Sequence, residues 1–103
     1  MDRNIDYIIT EYAKQVQEAY NPKAIYLFGS YAKGEENNYS DIDIAVVINP
    51  IDMNKYMDLA GKLWSIAARF DSEIEPKLII DGGEDDKFSL LYEVKKTGRK
   101  IEV

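Results

Sequence analysis

Two short apolar runs constrain this chain more than any other feature. Ala24-Ile25-Tyr26-Leu27-Phe28 is stopped by Gly29-Ser30, and the stretch from Asp41 to Ile48 is stopped by Asn49-Pro50. Runs this short, rich in β-branched and aromatic residues and bounded by turn formers, read as buried strands rather than helices. Between and around them the periodicity changes. Ile5, Ile8, Ile9, Tyr12, Ala13, Val16, Ala19 and Tyr20 recur at three- and four-residue steps, predicting a helix over 2–20 that Pro22 punctuates. A second helix is expected over 52–70 with Asp52 as N-cap. Its apolar stripe is Met53, Tyr56, Met57, Ala60, Leu63, Trp64, Ala67 and Phe70.

Glu73 to Ile80 predicts a third strand. Pro76 lacks an N–H and so belongs at a sheet edge or a bulge. A last helix over 87–97 with Phe88, Leu91 and Val94 inward, capped by Gly98, precedes a short closing strand within 100–103. Helices alternating with strands predict an α/β domain with helices packed on a sheet. The 103 residues suit one domain, 1–103, with no repeat or linker.

Composition narrows the chemistry. The chain has no His and no Cys, which removes thiol nucleophiles, Ser-His dyads, disulfides and Cys/His zinc sites. Its formal charge of −6 argues against a general nucleic-acid binder, which needs surplus Lys and Arg. No apolar run approaches a membrane span and the N-terminus lacks a secretory pattern, so a cytoplasmic protein is expected.

Carboxylates, hydroxyls and lysines remain, and one spacing arranges them. Gly29-Ser30 is followed, after ten residues, by Asp41-Ile42-Asp43. Glycine at a strand end lets backbone approach a ligand, and the N–H groups and hydroxyl beyond it can receive phosphate. The two aspartates leave one face of a strand with Cα atoms roughly 6.6 Å apart, which lets them converge on a hard cation such as Mg²⁺. Together they describe a nucleoside triphosphate site. Glu73 and Glu75 share a face of the third strand, and either can supply a third acid as metal ligand and proton acceptor. Glu75, further inside the strand, is the better placed.

The stretch Leu27-Phe28-Gly29-Ser30-Tyr31-Ala32-Lys33-Gly34-Glu35, followed by Ser40-Asp41-Ile42-Asp43-Ile44-Ala45-Val46, resembles the signature of the DNA polymerase β-like nucleotidyltransferase superfamily. Within it the chain is similar to the minimal nucleotidyltransferases, small proteins that accompany HEPN-domain toxins in toxin–antitoxin systems. The resemblance implies a palm-like α+β domain, a small mixed sheet flanked by helices. It implies that Gly29 and Ser30 bind the triphosphate, that Asp41 and Asp43 hold two Mg²⁺ ions, and that Glu75 is the third acid. Relatives usually carry Arg just after the Gly-Ser serine. Here Tyr31, Ala32 and Lys33 follow, so Lys33 is the cation retained for the nucleotide.

The implied reaction moves a nucleoside monophosphate, AMP from ATP, to a hydroxyl of a HEPN-type toxin, which the protein thereby restrains as an antitoxin. Two other readings stay open. One is a non-catalytic binding module that covers a toxin; the other is a nucleotidyltransferase for a small aminoglycoside-like acceptor. Assembly as a homo- or hetero-oligomer is compatible with each. Two weaker signals accompany these. Tyr31 or Tyr39 flank the motif and can stack on a base, and Lys95, Lys96, Arg99 and Lys100 form a basic cluster best read as favourable charge at a helix C-terminus.

Overall fold

The computed structural model describes residues 5–29, 32, 34, 41–70, 73–83 and 89–103. Among them, helix α1 (Ile5–Ala19) leads into strand β1 (Ala24–Phe28) and strand β2 (Ile42–Ile48). Helix α2 (Met53–Ala67), strand β3 (Ile74–Ile80), helix α3 (Leu90–Thr97) and the two-residue strand β4 (Arg99–Lys100) follow. The sheet runs β3-β2-β1-β4 and is mixed. β1 is antiparallel to both β2 and β4, whereas β2 and β3 are parallel. A parallel pair needs a crossover, and α2 provides it.

β2 is central, and its apolar residues are buried on both faces. Ile42, Ile44, Val46 and Ile48 project into the main core with Ile25 and Leu27 of β1, under α1 and α2. Ala45 and Val47 project the other way, onto Ile79 and the fully buried Val94 of α3. A strand covered on both sides reads as a solid apolar run, which is what residues 44–48 are. Asp43 is the polar exception at its start. Tyr12 ties the two large helices together: its buried hydroxyl donates to the Leu63 carbonyl at 3.0 Å, and its ring meets Phe70 edge-on with centroids 6.1 Å apart.

The predicted elements are present, with informative adjustments. Asp52 caps α2 as expected, its carboxylate accepting from the Lys55 N–H at 2.9 Å. Pro76 lies on an edge strand, without a bulge. Ser89 caps α3 by accepting from the Tyr92 N–H. The expected start of this helix at 87–88, including inward Phe88, lies outside the described residues, as do 2–4 of α1. The closing strand is Arg99–Lys100 rather than 100–103, and Ile101 adds one bond to the Ile25 carbonyl. Gly98 closes α3 in an extended conformation, φ −83°. Glycine is needed there for space: a Cβ would fall 2.9 Å from the Leu27 carbonyl oxygen.

The apolar stripe expected on α2 is the clearest correction. Leu59, Leu63, Ile66 and Ala67 form its buried face, while Met53, Met57 and Trp64 are 70%, 63% and 50% exposed. The apolar residues of this helix extend beyond the one arc that meets the sheet. The basic cluster is accounted for by local partners. Lys95 approaches Asp81 at 3.7 Å, Arg99 approaches Asp6 at 3.4 Å, and Lys100 approaches Glu102 at 3.9 Å, while Lys96 lies over the Tyr92 ring. No described helix is long and apolar enough to cross a membrane.

Candidate active site

The site assembles where β1 ends and where β2 and β3 begin. Antiparallel pairing sets Phe28, the last residue of β1, opposite Asp43. The turn that follows begins at Gly29, with φ +75°, a conformation open to glycine at little cost. The same residue grazes the acid: a Cβ at position 29 would sit 3.1 Å from Asp43 Cγ and run into its carboxylate oxygen. Gly29 therefore serves both the turn and the space that Asp43 occupies. Ser30 and Lys33, expected to grip phosphate, lie outside the described residues, as do Tyr31 and Tyr39.

Parallel pairing sets Glu75 beside Asp43 on the other side. Asp41, exposed just before β2, shares a hydrogen bond with the Glu75 carboxyl. Chain segments more than thirty positions apart thus bring Asp41, Asp43 and Glu75 together, as the sequence anticipates. The register also separates Glu75 from Glu73. Glu73 precedes β3, is exposed, and contributes its backbone carbonyl to the Ile42 N–H at 2.7 Å.

The electrostatics are those of crowded carboxylates. The hydrogen bond to Asp41 raises the Glu75 pKa most, followed by burial and by the charges of Asp41 and Asp43. Burial raises the Asp43 pKa, and the Asp41 charge adds to it. The ammonium of Lys77 opposes both shifts. Lys77 was not singled out by the sequence spacing. It lies two rungs further along β3, paired with Ala45 and on the face that carries Glu75. The available signal was Glu-x-Lys on a strand, which places acid and base on one face.

A divalent cation fits this donor set. The donors are all oxygen, the preference of Mg²⁺, and they carry more negative charge than Lys77 offsets. Among the described residues no three side chains are gathered as a ready chelate. Asp41 and Glu75 are joined by hydrogen bonding instead, and a bound cation would replace the proton they share. When bound, such an ion would neutralise phosphate charge and polarise the phosphorus centre.

Comparison with known proteins bears on the family and the fold. A Methanocaldococcus jannaschii protein named "Putative protein adenylyltransferase MJ1215" is 48% identical over 63 residues, 60% of this chain and 73% of that protein. The chain spans from 49% to 73% of the length of the first four curated relatives it matches. The solved structure of a toxin–antitoxin with AMP-PNP superposes with a TM-score of 0.58 at 31% identity, covering 88% of this chain and 70% of that one. That of the toxin–antitoxin MntA-HpeT mutant Y104A gives 0.56 at 31% identity, covering 98% and 73%. Residues 9–102 match the family described as Polymerase beta, Nucleotidyltransferase, and the chain belongs to that family.

Proposed function

We propose that this protein transfers AMP from MgATP to a hydroxyl of a partner protein, a HEPN-type toxin, and restrains that partner as an antitoxin. The observation that carries the reading is the strand register that sets Asp43 between the Gly29 turn and Glu75. The relatives named as protein adenylyltransferases and the toxin–antitoxin structures, one with an ATP analogue, support the donor and the kind of acceptor.

In this mechanism Gly29, Ser30 and Lys33 hold the triphosphate at the end of β1. Asp41 and Asp43, with Glu75, hold the Mg²⁺ ions. Glu75 takes the proton of the acceptor hydroxyl. The acceptor oxygen bonds to the α-phosphorus as the bond from that phosphorus to the bridging oxygen breaks, and pyrophosphate leaves. No step calls for His or Cys. Asp41, Asp43 and Glu75 would carry both metal and proton duties, and Lys77 balances part of their charge.

Incubation with α-labelled ATP, Mg²⁺ and the co-purified partner tests the proposal. Label on the partner, lost in the Asp41→Asn/Asp43→Asn double variant, is the expected result. Partner binding retained by both proteins with no label on either overturns it in favour of a binding module. Glu75→Gln is expected to lower transfer by about 10²–10⁴-fold, the usual contribution of a general base.

A further inference from the structure

The register that gathers the acids also brings a base to them. Asp43, Ala45 and Val47 share one face of β2, and Glu75, Lys77 and Ile79 share the same face of β3. Val94 of α3 joins Ala45, Val47 and Ile79 in the small second core, and Lys77 stands where that apolar patch gives way to the acids. Its partner across the ladder is the buried Ala45, too short to screen it from Asp43. Asp43 and Lys77 are therefore diagonal neighbours on one face, within reach of a long side chain.

Among the described residues Lys77 is the one cation whose charge acts on both Asp43 and Glu75, where it favours the ionised carboxylates. Yet no close ion pair joins the exposed Lys77 to a described residue, whereas Lys14, Lys23, Lys95 and Lys100 each have one. It acts on the acids as a charge at a distance rather than as a bonded partner. Charge counting then says how the centre can fill. Asp41, Asp43 and Glu75 carry three negative charges when ionised, and Lys77 offsets one of them. The remainder matches a single divalent ion. A second such ion would leave an excess of positive charge unless a polyphosphate came with it.

We propose that Lys77 is the built-in counter-charge of the carboxylate centre, a positioning residue that acts through Asp43 and Glu75. It relieves their repulsion when no metal is bound, and it repels an incoming divalent cation. The nucleotide-free protein therefore holds one such ion, weakly, and the centre fills further when a triphosphate adds negative charge. The proposal rests on the transferase reading, whose metal loading it describes.

Mn²⁺ is the probe, a hard ion that suits the same carboxylate ligands and whose free form is counted by its paramagnetic resonance. Titrations are run without nucleotide at about pH 8, well above the carboxylate range. The wild-type protein is expected to bind one Mn²⁺, and Asp43→Asn to lose it. Lys77→Met should bind that ion about three- to tenfold more tightly in dilute buffer, the worth of one unit charge near a divalent ion in water. The gain should shrink as salt is raised toward about 1 M, where the screening length falls to about 3 Å. Lys77→Arg, which keeps the charge, should bind as the wild type does. So should Lys55→Met, in the first turn of α2 beyond the far end of β2.

Thermal melting in EDTA reads the converse effect. Lys77→Met should lower the midpoint by about 1–5 °C, through the carboxylate repulsion it unmasks, and Mn²⁺ should remove that deficit. A merely structural side chain would instead lower the midpoint and the metal affinity together. Unchanged or weaker Mn²⁺ binding by Lys77→Met overturns the proposal, and so does a gain that salt leaves untouched. Uptake of no ion by the wild type overturns it as well. If the wild type still labels the co-purified partner from α-labelled ATP, the transferase reading survives that loss. An affinity that follows the charge at position 77, with no label on the partner, removes the transferase reading and leaves the counter-charge standing.

Discussion

Gly29 and Gly34 provide a controlled pair for testing whether the turn after β1 is shaped around Asp43. Both have positive φ, +75° and +72°. A Cβ on Gly34 meets nothing within 4 Å, whereas one on Gly29 runs into the Asp43 carboxylate. Alanine at either position should cost about 1–2 kcal/mol of stability from the left-handed backbone. For a domain of this size each kcal/mol lowers the thermal midpoint by about 4–8 °C. The two variants then diverge. In Gly29→Ala the Asp43 carboxyl must turn aside, and a displacement of about 1 Å in a catalytic group costs about 10²-fold in rate. Urea unfolding gives the shared penalty, and label transfer from α-labelled ATP gives the divergence, measured well below both midpoints. Gly34→Ala should keep its activity within about twofold, because only the backbone term applies to it. Equal losses of transfer in the two variants would refute the reasoning, since the clash with Asp43 is the only difference it invokes.

Two further predictions concern pH, with opposite signs. Asp81 accepts from Lys23 at 2.9 Å and from the Gly83 N–H, which holds its pKa down to about 2. The stability this gives is present above the ordinary carboxylate pKa of about 4 and fades as pH falls toward 2, so Asp81→Asn should flatten the acid limb of a urea-midpoint profile. Burial raises the Tyr12 pKa, so its contribution is complete below the ordinary tyrosine value of about 10 and is lost as pH rises beyond it. Tyr12→Phe should remove that alkaline loss and cost about 0.5–1.5 kcal/mol at neutral pH, through the hydrogen bond to Leu63.

The sequence reveals different parts of this molecule to different degrees, for physical reasons. β1 is legible to the residue, because an apolar run closed by Gly-Ser has only one short structure available to it. The placement of Pro76 at an edge follows from its missing N–H alone. Asp41 and Asp43 are legible as a pair because a strand's period of two is local. The exposed arc of α2 is not legible: Met53, Met57 and Trp64 satisfy a helical period as well as Leu59 and Ile66 do, and only the position of the sheet decides between them. Glu75 over Glu73, and the arrival of Lys77 beside the acids, depend on the β2–β3 register, which no local pattern encodes.

That parallel register has a consequence for how the site comes into being. The β1–β2 hairpin brings Gly29 against Asp43 through chain neighbours alone, so half of the centre is native as soon as the hairpin forms. Glu75 reaches it only after α2 has crossed over and β3 has paired with β2 in the register that sets Ile42 beside Ile74 and Asp43 beside Glu75. That pairing drives a carboxylate toward two others. A cation at this place would therefore act as a latch, holding the start of the edge strand β3 against β2.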